Sequence, residues 1–500
     1  MTTLQSQSHG IFVGTLFIFA LLSPLAIGPS AAERVVRPTW DRTYLSVVPG
    51  TSSVEQTSDG GFIMSAMSRG LWVAKTNPAG LPEWLREYTP AGYSQSSGFV
   101  VRTSDSGYAI IGTALSNGYV TGFDGWLLKL GAIGNVQWSK TYGGLQDDFL
   151  SAGQQTSDGG YIVAGNTQSF GSPYDSSNGW VLRLDAQGSV LWQEVFPAQD
   201  IFSIDETSDG SFLVAGAVGV AGQADAWLLK LDSEGRVEWQ RAYAVPAGNS
   251  IIRDHAFSIR QTPDGGYVVG GDVIAWGSSP YLPFEIPLRS YAWVLRLDSQ
   301  GEIVWQRLFG GGGFTQHVYV SEMSDEGFIV SGRFEKANLG GPLVGLSGPF
   351  LLKMDAEGNL VWQKIYGGAN DFLIQSQQTR DGGIIAVGSL VGGSPNCCDN
   401  LAWALKLDSE GNVRGCPVGV QSNATLADTS ATVTNTTVAS VNTNSTGTPT
   451  DVTVTAPPIL LVQNQCPLRS QQVQEEDAIS DSSPFYKAQV IRTSIQQSAG

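Results

Sequence analysis

The sequence predicts an all-β chain: a seven-bladed β-propeller of four-stranded antiparallel blades, closed by an N-terminal strand that completes the last blade. Three observations predict it. A string of the form Thr-Ser-Asp-Gly-Gly recurs along the chain, with its Asp at Asp59, Asp105, Asp158, Asp209, Asp264, Asp325 and Asp381. A second string, "DSEGRVEWQRAY" at Asp232–Tyr243, repeats with one Gly and one Trp at fixed places. An unpartnered Trp40 precedes the first unit, and the last unit lacks the Trp that the others carry.

The ruler Asp residues lie between 46 (Asp59 to Asp105) and 61 (Asp264 to Asp325) residues apart, a period that marks a stacked or circular repeat. Each unit reads as four short strands. In the fifth unit they are "FSIRQT", "GYVVGG", "WVLRLD" and "EIVWQRLF". Asp-Gly between apolar alternations predicts a tight first hairpin in which both central residues take positive φ. The second hairpin is marked by a third-strand ring and a fourth-strand Trp twelve apart, as in Trp72/Trp84, Trp126/Trp138 and Phe350/Trp362. Eight residues after each ring stands a Gly, from Gly80 to Gly411, which reads as a left-handed turn position. The Trp is expected to fill the gap between blades that pack face to face.

In the last unit the position twelve after Trp403 is Gly415, so the fourth-strand Trp is absent. Trp40, in "RPTWDRTY", sits in a string like "VQWSKTY" of Val136–Tyr142. An N-terminal strand carrying Trp40 therefore supplies the missing outer strand and removes the open edges. An eight-bladed ring or an open solenoid is the other arrangement this spacing allows. A basic residue follows every third-strand ring by three, from Lys75 to Lys406, and is expected to pack its stem between blades and pair its head with a carboxylate. The 61 Gly and 14 Trp suit many tight turns between apolar strands.

The string Leu-Asp-x-x-Gly-x-x-x-Trp resembles the tryptophan-docking repeat of quinoprotein-type propellers. The resemblance covers about residues 34–415, and the whole unit is similar to repeats of exported prokaryotic propellers of uncharacterised function. It implies the propeller fold. It also raises a quinone-dependent dehydrogenase, because Cys397–Cys398 are adjacent and quinoprotein alcohol dehydrogenases carry a vicinal disulfide over their cofactor. The chain departs from that family in blade number, and no calcium-binding Glu/Asn/Asp set is placed. No cofactor is therefore expected, with Ca2+ and pyrroloquinoline quinone the candidates the resemblance raises. No metal ligand is assigned.

Residues 1–32 read as a secretory signal, with the apolar run Ile11–Ile27 ahead of Ser30 and Ala32 and no Lys or Arg before it. The expected location is secreted or cell-surface, with membrane contact only if this segment stays uncleaved. Cys397, Cys398, Cys416 and Cys466 are the disulfide candidates, with three pairings open. The net charge of −17 argues against nucleic-acid binding. Residues 33–415 form the propeller, and a monomer is expected. The Thr, Ser and Asn-rich residues 416–458 read as a linker or stalk, and 459–500 as an edge strand followed by a disordered tail. Asn423, Asn435 and Asn444 head Asn-x-Ser/Thr sequons.

Function is expected on the variable loops opposite the constant turns. The longest insert, Asp272–Ala292, offers Trp276, Tyr281 and Tyr291, rings that suit a sugar or peptide or pack on their own blade. Acidic residues ten before the ruler, Asp148, Asp254 and Asp371, with His255 and His317 close by, suggest a polar funnel or strand-entry turns. No nucleophile motif or phosphate loop accompanies them. The expectation is a non-catalytic exported scaffold that binds a protein or carbohydrate ligand. The alternative is a propeller enzyme, a glycan hydrolase or lyase or a quinone-dependent dehydrogenase.

Overall fold

A computed structural model describes residues 38–464, apart from 46–50, 68–69, 117–121, 172–177, 198, 221–222, 246–250, 279–284, 311–312, 337–347, 369–370, 392–399 and the links between short strands after residue 415. The expected signal, Tyr281 and all four cysteines lie outside the described residues. All regular elements among the described residues are β-strands. They pair antiparallel in sets of four that follow chain order, the strand plan of a β-propeller. Among the described residues the modules span 51–90, 93–142, 148–197, 199–244, 251–310, 313–365 and 372–407, and we number them in that order. The seventh gains its fourth strand from Trp40–Leu45, with Trp40 opposite Lys406 and Thr43 opposite Trp403.

Both hairpin turns of a module share one design. Gly60 N donates to Thr57 O at 3.0 Å and Thr57 N to Gly61 O at 2.9 Å. Gly60 has φ +84°, while Asp59 is not among the residues with positive φ. The turn is thus a type I turn closed by one left-handed residue, and this corrects the expectation of two. The reason lies in the Asp side chain. Asp59 Oδ1 accepts from Thr57 Oγ1 at 2.6 Å and Gly61 N at 3.0 Å, which holds the Asp in the right-handed part of the turn. Ser106 and Glu326 take the left-handed place at φ 65° and 61°.

The third-strand cation closes on the ruler Asp of its own module. Lys75 reaches Asp59 at 2.8 Å, Lys129 reaches Asp105 at 2.8 Å, Lys230 reaches Asp209 at 3.0 Å, Lys353 reaches Asp325 at 2.6 Å and Lys406 reaches Asp381 at 3.1 Å. Arg183 and Arg296 pair likewise with Asp158 and Asp264. Partial burial works against ionisation of Asp59, but hydrogen bonds from Lys75, Thr57 and Gly61 outweigh it and hold the carboxyl at about 2, below the usual 3.8. Asp105 is held at about 2 in the same way.

Modules join through the fourth-strand Trp. Trp84 lies on Gly134 of the next module, Trp138 on Gly188, Trp192 on Gly235, Trp239 on Gly301, Trp305 on Gly358 and Trp362 on Gly411. Trp40 of the seventh module lies on Gly80 of the first. Two further residues, which the sequence reading passed over, reinforce most latches; module three has Glu194 and Phe196 in their places, and module five has Phe309 in place of the Tyr. The Tyr four after the Trp donates to the same Gly carbonyl: Tyr44 to Gly80 at 2.9 Å, Tyr88 to Gly134 at 2.6 Å, Tyr243 to Gly301 at 2.7 Å. A cation two after the Trp covers its ring, as with Arg42, Arg86, Arg241, Arg307 and Lys364, at 5.4 to 6.0 Å from the centroid. Inward of the latches, apolar clusters lie between consecutive modules; one joins Val54, Phe62 and Met64 of the first to Ile385, Val387 and Ala404 of the seventh.

Two predictions follow from turns and latches. An added Cβ at Gly134 meets Trp84 Cη2 at 2.9 Å with φ +77°, whereas at Gly159 it meets nothing within 4 Å at φ +88°. Both Ala variants carry the left-handed cost of about 1–2 kcal/mol. Gly134→Ala should therefore lower the melting temperature more than Gly159→Ala, as calorimetry would read. Asp59 and Asp105 ionise more readily folded than unfolded, so their pairs stabilise above pH 3.8 and fade as pH falls toward about 2. Asp59→Asn and Asp105→Asn should melt below the parent at pH 6 and match it near pH 2.

Candidate functional site

Module five departs from its neighbours. Its first three strands, Ile251–Gln261, Tyr267–Ser278 and Glu285–Leu297, hold 11, 12 and 13 residues, against 8, 7 and 7 in module three. Pairing runs unbroken from Tyr267↔Leu297 to Ser278↔Glu285, with one shift between Ala275 and Trp276. The insert expected to be an aromatic loop is therefore mostly hairpin. β-branched Val273 and Ile274 keep it extended. Trp276 stands opposite Ile251, with the Arg253 guanidinium 4.6 Å from its ring centroid. Its Nε1 is buried without a hydrogen-bond partner. Tyr291 lies on the third strand opposite Val273. Of the 14 Trp, thirteen occupy the ruler places (Trp40, 72, 84, 126, 138, 180, 192, 227, 239, 293, 305, 362 and 403); Trp276 alone does not. That count marks the residue from sequence.

At the base of this crest carboxylates gather. Asp254 is buried, at 1 % exposure. Its Oδ2 accepts from Val245 N at 2.8 Å, while Oδ1 has no partner. Burial is the main force that pushes its carboxyl up to about 7; Val245 N and His255 oppose, and Asp225 and Asp272 reinforce it. On the adjoining residue, His255 Nδ1 and Asp272 Oδ1 lie 2.8 Å apart. Phe257 stacks on His255 at 5.6 Å, and Phe202 of module four meets it edge-on at 6.3 Å. Asp225, raised by burial, comes from module four, whose third strand touches module five through one parallel bridge, Ala224↔Arg253.

The other predicted acids do not join this group. Asp148 is fully buried and satisfied. Its Oδ2 accepts from Gly144 N and Ser169 Oγ, both at 2.7 Å, and its Oδ1 from Thr167 Oγ1. Asp371 Oδ2 accepts from Gly368 N at 2.6 Å. Both close turns at the entry to their own modules, the bland alternative for these residues. His317 lies on Gly313–Glu322, with its side chain outside the described residues.

A polar set missed by the sequence reading lies four before the ruler, where Glu55, Asp205 and Arg260 sit on first strands. Arg102 Nε stands 3.7 Å from Glu55, and Arg260 stands 3.8 Å from Asp205. Burial raises both carboxyls, and the cations oppose it. Acid and base answer each other, which leaves little net field for a ligand ion.

No family model matches the chain, and no curated protein sequence matches it. Similar solved structures include the WD40 β-propeller domain of Doa1, at 12 % identity over 73 % of this chain and 96 % of that one, TM-score 0.41. A PL25 ulvan lyase bound to a GlcA–Rha3S saccharide follows at 10 % identity, 68 % and 87 % coverage, TM-score 0.42. A protein of unknown function from Bacteroides caccae follows at 12 %, 65 %, 93 % and 0.31. At these scores the likenesses carry no argument about the site, and the propeller rests on strand pairing.

Asp254 yields a prediction with a fixed sign. Its folded value of about 7 exceeds the ordinary 3.8, so the folded state holds the proton more tightly and stability falls as pH rises from 3.8 to about 7. Each unit corresponds to about 1.4 kcal/mol. Asp254→Asn should remove that slope, so its melting temperature relative to the parent should climb between pH 4 and pH 8.

Proposed function

We propose that this protein is an exported, non-catalytic binding propeller, closed as a ring of seven blades, with its ligand site on the crest of the fifth. Closure is supported by the Trp40–Leu45 strand on the seventh module, by Trp40 on Gly80, and by the apolar cluster between modules seven and one. Charge coupling of Glu55 on module one with Arg260 on module five fits first strands that face a common axis. Export rests on the apolar segment before Ala32.

The observation that carries the function is Trp276, the one Trp outside the repeat, on the same face of one projecting hairpin as Arg253 and the His255–Asp272 pair. Guanidinium and imidazole groups bond hydroxyls, and an indole offers an apolar face, so the ligand is a glycan. Glycan-array binding by the intact protein tests this. Trp276→Ala and His255→Ala should each weaken it at least tenfold, about 1.4 kcal/mol. Undiminished binding in both variants moves the site elsewhere, and capture of protein ligands alone removes the glycan.

One observation favours a second reading. A general acid needs a carboxyl whose proton is held toward neutral pH, and burial, reinforced by Asp225, raises Asp254 to about 7. Incubation with the glycans that bind, followed by assay for reducing or unsaturated ends, decides between lectin and enzyme. Product that disappears in Asp254→Asn establishes the enzyme.

A further inference from the structure

The segment that reads as a stalk carries short strands, and each described one pairs with the propeller. Val420–Gln421 pairs with the outer strand of module six, Thr425–Asp428 with module five, Thr432–Asn435 with module four and Val441–Asn442 with module three. Thr448–Pro449 then pairs with module two, Val452–Thr455 with module one, and Leu461–Asn464 with the Trp40–Leu45 strand of module seven. Every pairing is antiparallel, and the modules are visited in strict descending order until the seventh.

The depth of contact is constant as well. Each segment meets the outer strand two or three residues after the docking Trp. It pairs with Arg42 after Trp40, Glu87 after Trp84, Lys140 after Trp138 and Glu194 after Trp192. It pairs with Arg241 after Trp239, Arg307 after Trp305 and Lys364 after Trp362. A random tail has no reason to keep one latitude over seven outer strands. The physical cause is the open edge that every outer strand presents, with unpaired backbone groups. Thr and Val, which dominate the segment, favour the extended state that such an edge accepts. The short strands begin at 420, 425, 432, 441, 448, 452 and 461, so intervals run from four to nine residues. At about 3.3 Å per residue that spans roughly 13–30 Å from one edge to the next.

We infer that the outer rim is a peptide-binding track whose occupant is the chain's own 420–464 segment, and that this belt locks the seam of the ring. The seam is the one module whose fourth strand comes from elsewhere in the chain. There Trp40–Leu45 lies between Asn400–Leu407 and Leu461–Asn464, so the last belt strand covers the borrowed strand's free edge. Recognition runs through backbone pairs, which explains how a segment of low complexity finds seven different edges. The pairings stand whether or not the ring is closed; the locking role rests on the closed-ring reading.

The test uses the full-length chain with a specific protease site placed at residues 417–419. The folded protein is cut under reducing conditions, so that Cys466 cannot hold the fragment covalently. The belt fragment should co-elute with the propeller on size exclusion and separate only on unfolding. Separation under native conditions overturns the proposal. A second full-length variant, Val433→Pro with Thr434→Pro, removes two successive amides, one of which faces Arg241–Ala244 whichever way the strand lies. Hydrogen exchange should quicken at that outer strand by tenfold or more and stay unchanged at module one; no change there overturns the belt. In the parent, exchange at Trp40–Leu45 separates the two readings. Fast exchange at alternate amides only means the belt is absent and the seam holds, whereas fast exchange at all of them means the ring is open.

Discussion

The contact on which the rest depends is an indole laid against a glycine. The fourth-strand Trp of one module covers the left-handed Gly in the second turn of the next, and in five modules a Tyr four residues along the strand donates to that glycine's carbonyl. The glycine satisfies two demands with one missing atom. Its φ, from +72° to +84° at Gly80, Gly134, Gly188, Gly235, Gly301, Gly358 and Gly411, disfavours any Cβ, and the ring leaves no room for one. Full burial of an indole removes roughly 150–250 Å² from water; Trp40 is buried, while the other latch rings are half-buried and realise part of that. The latch adds to the apolar clusters around the fully buried Trp126, Trp180, Trp227, Trp293 and Trp403. Because it joins a fourth strand to the following module, it also fixes the direction in which modules succeed one another.

Within each module a second device answers the first. The cation three after the third-strand ring reaches the ruler Asp, and at Lys75 it also reaches Glu83 at 2.9 Å, beside the other turn. One ammonium thus ties both turns of a module together at the same end. Exposed ion pairs contribute little, but here the Lys75 side chain is 6 % exposed, and its amine also donates to Thr76 O at 2.9 Å. Turn geometry and latch geometry are coupled through this residue. A module whose first turn is correct presents its second turn, and therefore its Gly, to the preceding Trp.

Repetition decided how much was legible. Positions that recur at fixed spacing, such as Trp84, Gly134, Lys75 and Asp59, could be assigned roles because the same physical demand is written several times. The pairing of Trp40 with the last module was legible for the same reason, since Trp403 lacked a partner in its own unit. What escaped was of two kinds. Asp148, Asp254 and Asp371 share one ruler offset yet differ in environment, because satisfaction depends on loop residues that do not repeat: Gly144 and Ser169 satisfy Asp148, while Asp254 meets only Val245 N. The edge strand after residue 459 was legible as an apolar run, whereas the short strands between 420 and 455 escaped because backbone pairing leaves no side-chain signature. Thr, Ser and Asn without charge describe a solvated stalk and a strand on an open edge equally well.

The repeat limits where this fold can vary. A Trp–Gly contact that recurs at each joint leaves little freedom at the constant turns, and the outer strands pair with the 420–464 segment. Freedom remains at the opposite ends of the strands, where nothing need match between modules. Module five uses it: its first hairpin pairs from Gln261↔Tyr267 up to Ile251↔Trp276, with one shift between Ala256 and Ser258, beyond the length of module three. That extension carries a Trp that docks on no glycine of a neighbouring turn, and a buried carboxylate oxygen that no protein group answers. The unanswered oxygen is costly, but it shares that condition with Trp72 Nε1, Trp227 Nε1 and Ser389 Oγ inside the repeat. What sets the extension apart is the ring: it stands on the face that also carries Arg253 and the His255–Asp272 pair, while Asp254 points to the opposite face beside Val273.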